Sequence, residues 1–229
     1  MGTGEGRSGD GRGRDARPMA SAARRRAADP AHPEAGSRRA EVRLQVLKAA
    51  GELIDRLSYD EVTIDAVARA SGVSKSTLYR HWPSRQVLVL EAFTYTTNLL
   101  IHVKDTGDVS RDLHAYLVAL TRCLDDGETA STVANLLAEA VRSDDFAVLY
   151  RQTLLRERRQ GFLDVLEKGR SRGQIRADMD LGTAVDALYG AIHHRLISTA
   201  EAIDPAFLRD LTRLAVQGSA TPAYLQFLK

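Results

Sequence analysis

The sequence has 229 residues, a formal net charge of +2 and one cysteine, Cys123. A chain of this length can bury a core without disulfides, and a single thiol excludes a disulfide framework and fits a reducing cytoplasm. The most apolar stretch, residues 87–103, is interrupted by Glu91, Asn98 and His102. This excludes a transmembrane helix, and we expect a cytoplasmic protein with no membrane contact.

The first segment, residues 1–37, is rich in arginine and glycine and has no hydrophobic period. Such a composition cannot bury enough apolar surface to offset the entropy of ordering the chain, so we predict a disordered tail. The functional alternative is a basic arm that follows phosphates or reaches a minor groove. The simpler alternative is a solvated extension.

Helical periodicity begins near residue 38 and predicts four helices up to residue 98. Leu47, Ala50, Ile54 and Leu57 form the apolar face of the first helix. Thr63 and Ser74 are suitable N-caps for two short helices, and Gly72 between them can adopt the left-handed conformation of a tight turn. Pro83 ends the third helix near His81, and Ser84 starts a fourth.

The remainder, residues 99–229, continues in helical patterns separated by glycine or proline. The predicted helices are residues 109–124, 130–142, 144–172, 181–199 and 206–217. No run has the alternating pattern of a β-strand. The predicted fold class is therefore all-α, with a three-helix helix-turn-helix domain at residues 38–98 and a second helical domain at residues 99–229.

The third helix carries side chains suited to DNA. Two short helices joined by a glycine turn over residues 63–81 form a helix-turn-helix pattern, in which the second helix enters the major groove. Hydroxyl, cationic and aromatic groups crowd this helix, and Arg85 follows at the start of the next helix, where it can meet a phosphate. The candidate DNA-binding residues are Thr63, Lys75, Ser76, Thr77, Tyr79, Arg80, His81 and Arg85.

Residues 43–93 resemble the DNA-binding domain of the TetR family of repressors. The residues that carry the resemblance are Tyr59, Val62, Thr63, Val67, Ala68, Ala70, Gly72, Val73, Ser74, Thr77, Leu78, Tyr79, His81, Arg85 and Leu88. The resemblance implies that Thr63 caps its helix against a phosphate, and that Lys75 and Arg80 set the sequence preference. Tyr79 and Arg85 would hold the DNA backbone.

Four positions depart from the family pattern. Ser58 stands for a usual glycine, Ser71 for alanine, Ser76 for a small glycine and Trp82 for phenylalanine. Ser58 leaves the form of its turn open. Trp82 keeps the apolar anchor, but a larger ring has to be placed.

The second domain, by the same resemblance, binds an effector and forms a homodimer. Two apolar stripes are candidates for the dimer interface: Leu181, Val185, Leu188, Ile192 and Leu196, and Phe207, Leu211 and Leu214. Packing of both stripes in the chain's own core is the alternative. The candidate pocket residues are Leu120, Cys123, Leu137, Val141, Tyr150 and Leu154. Because adjacent His193 and His194 point about 100° apart on a helix, we predict no metal site there. We also predict no cofactor.

The helix-turn-helix pattern predicts a DNA-binding regulator, and the resemblance implies a repressor that binds a palindromic operator in double-stranded DNA and is released by a small-molecule effector. We predict no enzymatic activity, because no phosphate-binding loop, nucleophile elbow or metal-spaced cluster occurs. A helical protein-docking regulator and a cytoplasmic helical enzyme are the two alternative functions.

Overall fold

The computed structural model describes residues 33–122, 124 and 127–227. In these ranges the chain forms eleven α-helices and no β-strand, apart from one isolated bridge between Ile175 and Ala220. The predicted all-α fold is confirmed. The helices are α1 Pro33–Ile54, α2 Ile64–Ser71, α3 Lys75–His81, α4 Arg85–Leu100, α5 Val109–Arg122, α6 Gly127–Arg142, α7 Asp144–Tyr150, α8 Arg156–Ser171, α9 Leu181–His193, α10 Pro205–Ser219 and α11 Pro222–Phe227.

Helix α1 begins at Pro33, inside the segment that was expected to be a disordered tail. Proline is tolerated in the first turn of a helix, because the N–H that it lacks would have no partner there. Residues 1–32 of the expected tail lie outside the described residues. The predicted boundary at residue 37 therefore falls within a helix.

Side-chain caps define the short helices, as the sequence predicted. Thr63 accepts a hydrogen bond from the Ala66 amide at 3.1 Å, and Ser74 accepts one from Thr77 at 3.3 Å. Gly72, between them, has φ of 68°, in the left-handed region that glycine reaches without strain. Ser84 caps α4 in the same way as Thr63 and Ser74 cap α2 and α3. These caps fix the turn that separates α2 from α3.

The first hydrophobic cluster holds the short helices against two long ones. Leu47, Ala50 and Ile54 of α1 are buried, as predicted, and they pack with Leu78 of α3 and the apolar residues of α4. The same cluster includes residues from beyond the predicted domain boundary: Val133, Leu136, Phe146, Tyr150 and Leu154. The helix-turn-helix part therefore shares its core with α6 and α7.

The second hydrophobic cluster is built from α5 and α8–α11. Phe162 and Leu166 of α8 are fully buried in it, and the Tyr116 ring of α5 meets Phe162 edge-on at 4.6 Å between centroids. Arg172 of α8's end donates to Asp105 at 2.7 Å and lowers the pKa of that carboxyl to about 2. This ion pair holds the loop before α5 against the end of α8.

Two segments have π-helical hydrogen bonding. They are Arg151–Leu155, between α7 and α8, and His194–Thr199, after α9. The sequence predicted uninterrupted helices here, because a π-turn leaves the run of apolar residues almost unchanged. Wide turns of this kind are rare and occur frequently at functional sites.

Among the residues described, no helix is both long and apolar enough to cross a membrane.

Candidate nucleic-acid interface and effector cavity

Helix α3 presents polar side chains on one face. Ser76, Tyr79 and Arg80 are exposed, whereas Leu78 is fully buried and fixes the opposite face. Thr77 and His81 are half-buried at the edges. Tyr79 is 56% exposed, so a large apolar ring lies in contact with solvent. Exposed aromatic side chains of this kind are common at binding surfaces.

Lys75 forms an ion pair across the turn. Its Nζ lies 2.7 Å from Asp65 Oδ2 of α2, and more than half of each side chain is exposed. Exposed pairs of this kind contribute about 0–1 kcal/mol to stability. A phosphate or a base edge can therefore replace Asp65 at low cost.

Thr63 lies at the amino end of α2, where its hydroxyl caps the helix and remains exposed. The free N–H groups and the positive end of the helix dipole attract anions at such a position. Lys75 of α3 pairs with Asp65 in the first turn of α2, so its side chain reaches the end of the helix that Thr63 caps.

Arg85 is turned inward. Its guanidinium donates to the Tyr59 carbonyl and lies over the Tyr59 ring, 4.3 Å from the ring centroid. Asp60 Oδ1 lies 3.5 Å from Nη2. These contacts join the loop between α1 and α2 to the start of α4. Arg85 therefore holds the loop that leads into the helix-turn-helix, and its guanidinium does not point to the surface of α3.

Trp82 makes a hydrogen bond that the phenylalanine of the family pattern could not make. The ring is fully buried, and its Nε1 donates to Glu91 Oε2 of α4 at 2.7 Å. Glu91 is also paired with Arg43 of α1, whose guanidinium lies 5.6 Å from the Trp82 ring centroid. The sequence patterns did not predict this contact between Trp82, Glu91 and Arg43. The available signal was Glu91, which interrupts an apolar run after an indole that needs an acceptor.

Two of the three serines that depart from the family pattern, Ser58 and Ser71, make local hydrogen bonds that shape turns. Ser58 donates from its hydroxyl and its amide to Glu61 Oε2, at 2.7 Å and 3.0 Å, which closes the turn and lowers the pKa of Glu61. Ser71 is buried, donates to the Val67 carbonyl at 2.7 Å and accepts from the Val73 amide at 3.3 Å. Both serines therefore support the turns around α2.

The second candidate site is a small cavity lined by residues of α4, α5, α6, α8 and α9, with a volume of about 20 Å³. Of the predicted pocket residues, Leu120 and Leu154 line it. Tyr150 is buried but is not part of the lining, and Leu137 packs against the first cluster instead. Cys123 lies outside the described residues.

The prediction for Val141 is wrong, because this side chain is 81% exposed. Helix α6 turns Val133 and Leu136 inward. Residue 141 is five positions after Leu136, which places it on the other side of the helix.

Four polar residues face the cavity: Thr97, Arg158, Tyr189 and His193. Arg158 Nη1 donates to Asn98 Oδ1 at 2.7 Å, and Nη2 donates to Thr97 Oγ1. Burial lowers the pKa of His193 and raises the pKa of Tyr189. Both groups are therefore neutral near pH 7, and Arg158 supplies positive charge to the wall.

The predicted dimer stripe on α9 is wrong for Leu181, Val185, Leu188 and Ile192, which are buried in the chain's own second cluster. Leu211 of α10 is also buried there. An apolar stripe shows that a face is covered, but the stripe does not show what covers it. Leu196 and Phe207 are half-buried, and only Leu214, 70% exposed, remains free for a partner.

A short helix that shows polar side chains behind a tight left-handed turn defines a helix-turn-helix DNA-binding protein. Residues 46–92 match the tetR family of bacterial regulatory proteins, and residues 103–215 match the tetracyclin repressor-like C-terminal domain. The chain belongs to the TetR family and is a DNA-binding transcriptional regulator.

Individual proteins agree with this assignment. The uncharacterized HTH-type transcriptional regulator YdeS of Bacillus subtilis is 30% identical over 173 residues, which cover 76% of this chain and 87% of YdeS. The crystal structure of the TetR family transcription regulator SCO0332 matches with 38% identity and a TM-score of 0.73, covering 78% of this chain and 98% of that one. The DNA-binding transcriptional repressor TetR of Mycobacteroides abscessus is 27% identical over 164 residues, or 71% of this chain and 85% of that protein.

Proposed function

We propose that this protein is a homodimeric repressor that binds a palindromic operator through α3 and leaves it when a small molecule occupies the cavity. The observation that carries the proposal is the polar, exposed face of α3, with Ser76, Tyr79 and Arg80 held out by a buried Leu78. Thr63 at the start of α2 and Lys75 at the start of α3 are exposed and would contact phosphates.

Repression is proposed on the name of the relative from Mycobacteroides abscessus, a DNA-binding transcriptional repressor. A protein that covers a promoter needs only occupancy to repress. The effector role is proposed for the cavity because its lining includes α4 residues Phe93 and Thr97, and α4 also supports α3 through the first cluster. Its volume of about 20 Å³ holds about one water molecule, so the cavity would have to widen to admit an effector.

Dimerisation is proposed through the outer faces of α9 and α10. Ala187 and Gly190 of α9 are exposed, and a Cβ added at Gly190 would meet no atom within 4 Å. Glycine inside a helix costs about 1 kcal/mol relative to alanine, a cost that close approach of a second helix would explain. A two-fold dimer would place two copies of α3 on two half-sites.

Selection of genomic DNA fragments on the full-length protein tests DNA recognition. We expect enriched fragments to share an inverted repeat whose half-sites lie about one helical turn, ~10 base pairs, apart. Tyr79→Ala should lose retention of these fragments while the protein stays folded, because the exposed ring packs little against its own chain.

Arg156→Ala is the matched control, since it removes an exposed arginine of α8 far from α3 in the sequence. It should retain the fragments. Recovery of unrelated fragments, or equal retention by Tyr79→Ala and wild type in a salt titration, would contradict the proposed mode of binding.

A further inference from the structure

A second, larger cavity is an open groove lined by residues of α5, α10 and α11. Its volume is about 660 Å³, and none of its lining residues lines the small cavity beside α4. Pockets that bind small molecules commonly have volumes of about 300–1,000 Å³. The groove therefore has room for a small molecule without any widening.

Three arginines line this groove from two sides. Arg111 lies in the first turn of α5, whereas Arg209 and Arg213 lie one turn apart on α10. All three residues are exposed. Two like charges at positions i and i+4 of a helix repel each other and destabilise the helix slightly. A bound anion would offset this repulsion.

Two of the three arginines have no counter-ion within the described part of the chain. Arg111 and Arg209 take part in none of the ion pairs between those residues. Arg213 pairs with Asp210 at 2.5 Å, but 66% of each side chain is exposed. Because exposed pairs of this kind contribute little to stability, an anion can replace Asp210 at low cost.

The two acidic residues that flank Arg111 in the sequence are engaged by other groups. Asp108 Oδ1 accepts hydrogen bonds from the Arg111 amide at 2.9 Å and from the Tyr224 hydroxyl at 3.0 Å. Asp112 is buried, and its Oδ1 accepts from the amide and the hydroxyl of Thr106 at 3.0 Å and 2.6 Å. No acidic side chain is among the described residues that line the groove. The positive charge of the groove is therefore only partly offset.

A hydrogen bond between side chains ties the two walls together at the base of the groove. Thr212 of α10 is buried there, and its hydroxyl donates to the Leu208 carbonyl at 2.7 Å. Since a hydroxyl has a single proton, its 3.2 Å contact with His114 of α5 makes the imidazole Nδ1 the donor. Buried Val216 adds apolar surface to the base. The groove thus combines cationic walls with a partly apolar base.

The arrangement of the arginines favours a phosphate group over a carboxylate. A carboxylate carries one charge on two oxygens, which the planar fork of one guanidinium satisfies. A phosphate ester carries about −1.5 to −2 charges near pH 7 and presents three acceptor oxygens. Guanidinium groups from two helices can therefore bind one phosphate together.

We propose that this groove binds a small phosphate-bearing molecule, whose phosphate groups contact Arg111, Arg209 and Arg213 and whose remaining part packs on Val216. The site is separate from the surface of α3 and from the cavity beside α4. It therefore does not depend on the role of either one in the proposed function.

The proposed dimer contact leaves the groove accessible. On α10, Leu214 lies about 100° around the helix axis from Arg213 and about 140° from Arg209. A partner subunit that packs on Leu214 would therefore not cover the arginines, and a ligand could bind each protomer of the dimer.

Pyrophosphate and citrate test the class of ligand with the full-length protein. Binding of each is measured by calorimetry and thermal denaturation at constant ionic strength, without DNA and without divalent metal ions. We expect pyrophosphate to bind once per protomer, to raise Tm, and to bind about fivefold or more tightly than citrate, the effect of one additional net hydrogen bond. Failure of pyrophosphate to bind at millimolar concentration, or equal or tighter binding of citrate, overturns the proposal.

Variants of the arginines locate the interaction. Arg111→Gln and Arg209→Gln should each weaken pyrophosphate binding about threefold or more, and the double variant about tenfold or more. Both residues are exposed and lack an ion pair among the described residues, so the variants should fold. Arg80→Gln on α3 and Arg156→Gln on α8 are the matched controls, because each removes one exposed arginine elsewhere. Both controls should bind pyrophosphate as wild type does.

Three outcomes overturn the assignment to the groove. The arginines of residues 1–32 are present in every variant, so unchanged binding by the double variant would mean that pyrophosphate binds elsewhere. An equal loss in Arg80→Gln would place the anion on the surface of α3. Loss of retention of the selected DNA fragments by the double variant would assign Arg111 and Arg209 to the DNA backbone instead.

Discussion

Arg85 illustrates how a single residue can have two roles that sequence alone cannot separate. The resemblance implies that Arg85 contacts the DNA backbone, whereas the structure engages it with the Tyr59 carbonyl and ring and with Asp60. Its side chain is 23% exposed. The inward contacts would hold the loop before α2 in place, and α3 follows directly from α2.

Replacement of Arg85 by alanine should therefore lower the stability of the fold. We expect Arg85→Ala to reduce the free energy of unfolding by about 1–3 kcal/mol, because a partly buried, charge-assisted hydrogen bond to the Tyr59 carbonyl and a cation–π contact are lost. Urea denaturation followed by circular dichroism measures this change.

Arg80→Ala provides the comparison, since Arg80 is exposed on α3 and its loss should change stability by less than about 0.5 kcal/mol. A stable Arg85→Ala protein that has lost DNA retention would instead assign Arg85 to the phosphate backbone.

At the scale of helices, the contact of α5 with α8 depends on a residue without a side chain. A Cβ added at Gly161 would overlap with the hydroxyl and ring of Tyr116, and that ring is buried against Phe162. The helices can approach this closely only with glycine at residue 161.

Gly161→Ala should consequently destabilise the protein by about 1–3 kcal/mol, because the buried Tyr116 ring must move to make room. Gly218→Ala in α10 is the matched control, since a Cβ there meets no atom within 4 Å and alanine has the higher helix propensity. Thermal denaturation of both variants would contradict this model of packing if Gly161→Ala were as stable as Gly218→Ala.

Sequence patterns predicted the helices better than the surfaces that they bury. The period of Leu47, Ala50 and Ile54 and the caps Thr63, Ser74 and Ser84 depend on local chemistry, and the structure agrees with them. The two π-helical segments could not be predicted, because one widened turn barely changes a hydrophobic period.

The DNA-facing and ligand-facing sites differ in the same respect. Exposure of Tyr79 and Arg80 follows from a short helix whose apolar residue, Leu78, fixes its orientation. The contacts of Arg158 in the cavity wall join it to Thr97 and Asn98, about 60 residues earlier in the chain, and no local period links such distant residues. The apolar stripe of α9 that includes Leu188 has a period that fits a dimer interface or an internal core equally well.

At the scale of the whole molecule, the apolar stripe of α9 is buried in the chain's own core. We therefore expect the dimer contact on the outer faces of α9 and α10. Leu214 is 70% exposed there, so its side chain contributes little to the fold of one protomer. We expect Leu214→Glu to convert the dimer to monomers without loss of folding, because a carboxylate would be desolvated at a two-fold contact.

Light scattering coupled to size exclusion measures the mass directly. Val141→Glu is the control, as Val141 is exposed to a similar degree on α6 and lies away from α9 and α10 in the chain. A Leu214→Glu protein that keeps the dimer mass would exclude this face as the interface.

The shared first cluster limits how this protein can be recombined with others. Val133 and Phe146 pack against apolar residues of α1–α4. Truncation of the chain after residue 98 would therefore expose part of the hydrophobic core of the DNA-binding part to solvent. A chimera that joins this DNA-binding part to the ligand-binding domain of another protein would have to include α6 and α7 as well. Otherwise the apolar contacts that these helices make with α1–α4 would have to be redesigned. The shared core thus limits the exchange of DNA specificity between such proteins, because the segment that has to be exchanged as one piece is larger than the helix-turn-helix itself.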